Sequence, residues 1–158
     1  MAIVTFVAID VAGLCGLRSE YYCQDMTQKL DARLSPFAPA VLSLFRVICA
    51  LVLLTHATSH LFGWPTGTAT PTGSWPYWWA GILEIVTGVL ITIGLFTRIA
   101  AFIASGMMAF AYFTQHMPTD FWPIVNKGEP AVLLCFAFFL LVFIGGGAYA
   151  VDAWRPSR

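Results

Sequence analysis

The sequence predicts an all-α fold, an antiparallel bundle of four transmembrane helices. Three observations predict it. Of 158 residues, 59% are apolar and only 10% are charged, where a soluble globule usually carries roughly a quarter charged residues. Four long apolar runs fill residues 38–150, and a helix needs about 20 such residues to cross a bilayer. No run alternates apolar with polar residues as barrel strands do. In lipid, only a helix then pairs every backbone amide within the segment.

Residues 1–35 read as a cytoplasmic or interfacial leader. Ala2–Leu17 is apolar but short, and Asp10 interrupts it. No basic residue precedes it, so it lacks the charged region of a secretory signal. A fifth span is the alternative, but it would place the N-terminus outside. Arg18–Leu34 mixes charges and suits the membrane surface. Ser35-Pro36 then reads as a helix start, with serine as the cap and proline in the first turn. Residues 36–152 form the membrane domain, and residues 153–158 form a cytoplasmic tail.

The spans are expected at Ala40–Phe62, Trp78–Phe96, Ile99–His116 and Ala131–Ala150. Charge sets their orientation. Arg18, Lys29, Arg33, Arg98, Arg155 and Arg158 fall on one side, and Lys127 on the other. By the positive-inside bias both termini and the Thr97-Arg98 turn are cytoplasmic. The loops Gly63–Tyr77 and Met117–Pro130 then face outward. Trp64, Trp75, Trp78, Trp79 and Trp122 gather at that boundary and fit an interfacial aromatic belt. Net charge is zero and there is no basic stripe, which argues against a nucleic-acid partner. Cys15, Cys23, Cys49 and Cys135 make no disulfide framework, and no CxxC or Cys/His spacing suggests a metal.

Polar residues inside the spans carry the functional signal. At 100° per residue, Arg46, His56 and His60 share one face of the first span. A charge deep in the bilayer costs about 3 kcal/mol or more, so this face should point into the bundle. Arg46 lies near the cytoplasmic end, where it can snorkel. Glu84 is flanked on its own face by Gly81, Gly88 and Thr92, and small residues let helices approach closely in lipid. Counting inward from the outer ends places His56 and Glu84 at one depth, as a direct His–Glu pair. Glu84 and His56 are therefore the candidate reactive residues. A polar cavity open to the outer side could hold His56, His60, Glu84, Tyr112, His116, Asn126 and Glu129. Interhelical hydrogen bonding alone is the structural alternative for each of them.

These residues lie in segments that resemble the DoxX family of small bacterial membrane proteins. The carrying stretches are GILEIVTGVLITIGLFTRIAAFIASGMMAFAYF, HMPTDFWPIVNKGEPAVLLCFAFFLLV and the closing GGGAYAVD. The first span, FRVICALVLLTHATSHLFG, matches more loosely: Ala57 and His60 stand where family members often carry Gly and Lys. The resemblance covers roughly residues 40–152. It implies a four-helix protein of the bacterial inner membrane. Some relatives are linked to thiosulfate:quinone oxidoreductase, others to a membrane-associated complex that handles oxidative stress. Most have no assigned activity.

Three functions are expected from this. One is the membrane subunit of a quinone-linked oxidoreductase, with His56 and Glu84 on the quinone carbonyls and Phe121, Trp122 and Tyr112 walling the ring. No group is bound covalently, so a quinone or a soluble or membrane redox partner must carry the electrons. The second is a non-catalytic anchor or assembly subunit for soluble redox enzymes. The third is a small-molecule transporter, although no broken helix or inverted repeat supports it. A homo-oligomer fits any of them.

Overall fold

The computed structural model describes the backbone of residues 17–154 and the side chains of residues 26–154. The expectations for residues 1–16, including Cys15, and for Arg155 and Arg158 lie outside the described residues, as do the side chains of Arg18 and Cys23. The described chain is helical and has no strand. It divides into two units, one ending at Ala38 and one beginning at Pro39.

The first unit holds α1, Leu17–Leu34, and a 3-10 turn at Ser35–Phe37. Met26, Leu30 and Leu34 recur at helical spacing along α1, and all three are exposed. Ser35 does not act as the expected cap: the residue before the turn is Leu34, and no side chain caps it. Pro36 sits in the turn, where a missing N–H leaves no bond unmade.

The second unit holds α2 (Ala38–Phe62), α3 (Tyr77–Ile93), α4 (Thr97–Ala111), a π-helical turn (Tyr112–His116), the short α5 (Pro123–Asn126) and α6 (Glu129–Ile144). A 3-10 turn, Val151–Trp154, comes after α6. The helical run that contains α2, and α4 together with its π turn, are long and apolar enough to cross a membrane by length and composition. α3 and α6 are apolar but shorter, with 17 and 16 residues.

The fourth expected span overruns the helix. α6 stops at Ile144, because Gly145 and Gly147 take φ of +89° and +80°, which lies outside any right-handed helix. The second ends early for a similar reason. Gly94 closes α3 at φ +75°, donating to Ile91 and Leu90, while Leu95 N–H also reaches the Leu90 carbonyl. That is a Schellman ending. The expected Thr97-Arg98 turn is instead the first turn of α4, and the connection is Gly94–Phe96.

Small residues bring the helices together. Ala100, Ala101 and Ala104 of α4 are buried against Leu134, Phe138 and Leu141 of α6 in one apolar core. Ser105 adds a bond from its hydroxyl to the Cys135 carbonyl, 2.9 Å. A side chain at Gly81 would lie 2.9 Å from Leu61, and one at Gly88 2.8 Å from Leu54. Both glycines therefore let α2 and α3 approach closely, as their spacing predicted.

The end of the unit that carries the Gly94–Phe96 turn is closed by charged groups. Arg46 does not snorkel. It is 2% exposed and donates to the carbonyls of Ile91, Thr92 and Tyr149. A cation there offsets the negative C-terminal end of α3. Asp152 does the converse for α4, accepting from Phe96 N–H at 2.9 Å and Thr97 N–H at 2.8 Å. Ser43 accepts from Tyr149 N–H, and its hydroxyl lies where a side chain at Gly147 would clash. The glycine-rich strap from Gly145 onward is thus tied to α2, α3 and α4.

Candidate functional site

A cavity of about 600 Å³ opens at the other end, among α2, α3, α4 with its π turn and the start of α6. Every histidine of the chain lines it: His56, His60 and His116. Glu84 lines it too and is 3% exposed. The walls are apolar or aromatic, notably Trp79, Leu83, Met107, Phe110 and Leu134.

Glu84 is paired, but with His60 rather than His56. His60 Nδ1 lies 3.1 Å from Glu84 Oε2. Side-chain direction explains the one-turn error. Helical side chains lean toward their own N-terminus. In two antiparallel helices Glu84 therefore leans toward the loop end, and His60 leans down to meet it. His56 leans away, and it is exposed along the same cavity. The absent side chain of Gly81 completes the arrangement, because its place would lie 3.1 Å from the His60 Cβ. The Tyr77 ring packs on His60 with centroids 5.6 Å apart.

His116 reaches the cavity through the π turn, whose ladder is marked by Met117 N–H bonding to Tyr112 O at 2.8 Å. A π turn holds an extra residue and so re-aims the side chains at its end. Thr114, Gln115 and His116 consequently all line the cavity. His116 Nδ1 lies 3.1 Å from the Asn126 carbonyl. A carbonyl only accepts, so Nδ1 carries the proton and a neutral His116 keeps Nε2 as an acceptor.

Three expected residues do not line the cavity. Tyr112 donates to the Phe121 carbonyl at 2.6 Å and stacks on His116. Asn126 donates to the Asp120 carbonyl and accepts from Gly128 N–H. Both build the loop that holds His116. Glu129 is exposed at the start of α6. Phe121 and Trp122 are exposed as well and do not wall the cavity. Trp75 and Trp79, expected only in the aromatic belt, line it instead. Gln115 and Lys127 also line the cavity. Gln115 was legible as a polar neighbour of His116, and its Oε1 accepts from the Tyr77 hydroxyl at 2.6 Å. Among the described residues no cluster of His, Cys, Asp and Glu suits a metal ion.

The DoxX family model matches residues 41–117, which contain His56, His60, Glu84 and His116. An uncharacterized protein of Haemophilus influenzae is 39% identical over 125 residues, covering 75% of this chain and 93% of the relative. No solved structure matches.

Proposed function

This chain belongs to the DoxX family, and from that premise we propose that it is a membrane subunit of a quinone-linked oxidoreductase. It spans the bacterial inner membrane four times as an antiparallel bundle, with α2, α3, α4 and α6 as the spans. α3, with 17 residues, sits at the short end of the usual range of about 17–25, and α6, with 16, falls one residue below it. Both termini are cytoplasmic, and the cavity opens in the outer half. The exposed stripe Met26, Leu30 and Leu34 suits α1 to the boundary of headgroups and acyl chains.

The cavity carries this reading. Its volume falls within the roughly 300–1,000 Å³ of small-molecule sites, and it combines apolar walls with a few convergent polar groups. A quinone ring needs flat apolar walls and hydrogen-bonding groups for its carbonyls. Trp79, Leu83, Phe110 and Met107 supply the walls. His60 of α2 and His116 of the π turn supply the bonding groups. When bound, a quinone supplies the redox chemistry, which couples electrons to protons. The chain's own residues orient the ring and move protons. Glu84 and His60 share a hydrogen bond, so the two present themselves to the ring as one polar unit. His56, one turn further along the same face, extends the row of titratable groups.

The test is the content of the purified protein. It is extracted in mild detergent, and its lipid extract is assayed for quinone by mass spectrometry beside Glu84→Gln and His60→Ala. Quinone near one per chain in wild type, depleted in both variants, is the expected result. Folded wild-type protein free of quinone overturns the reading and favours the anchor function.

A further inference from the structure

Gly106 is a glycine with nothing against it. At Gly81, Gly88 and Gly128 an added Cβ would come within 3 Å of neighbouring atoms, so close packing explains each of them. At Gly106 an added Cβ meets nothing within 4 Å. Its φ is not positive, and it sits inside α4, where glycine weakens a helix relative to alanine. Neither packing nor backbone conformation calls for it. Yet Gly106 is exposed and lines the cavity. The cavity therefore reaches the protein surface at Gly106.

The surroundings define that opening. α3 and α4 form a hairpin about Gly94–Phe96, and Leu83 and Met107 lie equally far from its central residue, Leu95. Leu83 is thus level with the Gly106–Met107 step, and it is 47% exposed. One turn toward the loops, Phe110 meets Trp75 edge-on, with centroids 6.4 Å apart. That contact roofs the gap. Gly106 lies ten residues before His116 along α4 and the π turn, roughly 15 Å by helical rise. His116, Gln115 and Lys127 line the cavity near the loops, and Gly106, Leu83 and Met107 line it further along, at the level of Glu84.

We infer that the gap between α3 and α4 at Gly106 is a side portal, through which the apolar tail of the bound molecule leaves the cavity into the hydrocarbon of the bilayer. The inference rests on the quinone reading and narrows it. The ligand is a long-chain, lipid-borne quinone whose ring sits at His60, Glu84 and His116 while its tail passes Gly106. A molecule delivered from water would need no opening at that depth.

The experiment compares two probes on the detergent-purified full chain: a long-chain ubiquinone, and the tail-less 2,3-dimethoxy-5-methyl-1,4-benzoquinone. Binding is read by mass spectrometry of the quinone retained with the protein across a concentration series, a readout that an added tryptophan does not alter. Gly106→Trp should weaken the long-chain quinone at least tenfold and leave the tail-less quinone within about twofold of wild type, which also certifies the fold. Gly106→Ala should bind both as wild type does. If Gly106→Trp binds both probes as wild type does, the portal is overturned and the quinone site stands. If Gly106→Trp loses both probes alike, the portal is also overturned, because Gly106 then borders the ring. If wild type binds neither probe, the quinone reading itself fails.

Discussion

Asp152 holds the start of α4 from a segment far away in sequence, and removing its carboxylate should loosen that end of the protein by a predictable amount. Two backbone amides, of Phe96 and Thr97, donate to it at 2.9 and 2.8 Å. Asp152 is only half-buried, so water can reach the freed amides, and the loss per bond falls near the cap range of about 0.5–2 kcal/mol. The carboxylate at a helix N-terminus adds about 0.3–1 kcal/mol. Asp152→Ala should therefore cost about 2–3 kcal/mol. Asp152→Asn keeps one oxygen acceptor and loses the charge, and should cost about 1 kcal/mol. For a chain of this size, 1 kcal/mol corresponds to about 2–4 °C in melting temperature. Unfolding followed by tryptophan fluorescence in one detergent should give the order wild type, Asn, Ala, with Ala lower by about 5–10 °C. An Ala variant that melts within about 1 °C of wild type, or an Asn variant as labile as Ala, would refute the capping argument.

Gly94→Ala should destabilise at least as much, because φ is +75° and the new Cβ would lie 2.6 Å from the Ala150 backbone; the cost is about 2–4 kcal/mol from strain and overpacking together, read in the same melts. Gly106→Ala should go the other way, raising stability by up to about 1 kcal/mol from helix propensity alone. Tyr112→Phe should lower stability by about 1 kcal/mol through loss of its bond to the Phe121 carbonyl. Its quinone affinity in a fluorescence titration should stay within about twofold of wild type, since Tyr112 does not line the cavity.

Much of the helical plan was readable from the apolar pattern. Apolar length and the lack of alternation fixed helices, and the spacing of Gly81 and Gly88 around Glu84 correctly put that residue against a neighbouring helix. What sequence could not supply was phase and direction. Counting residues from the ends of two helices gives depth to about a turn, and a turn separates His56 from His60. The lean of side chains toward each N-terminus decided between them. The apolar run through Gly145–Ala150 hid the end of α6, because glycine and alanine are as apolar in a strap as in a span. The π turn left no mark in the sequence, yet it brings Thr114, Gln115 and His116 together on the cavity. Tyr112 and Asn126, expected to line the cavity, are buried instead in the loop that supports His116. Gly106 looks like any glycine until its empty surroundings are seen.

Under the proposed function, Glu84 and His60 act as one unit on the quinone ring. The direct measurement is a double-mutant cycle of long-chain ubiquinone affinity with wild type, His60→Ala, Glu84→Gln and the double variant. The account predicts that each single change weakens binding at least tenfold and that the double variant is little worse than either single. Losses that multiply fully, or affinities equal to wild type, would contradict it.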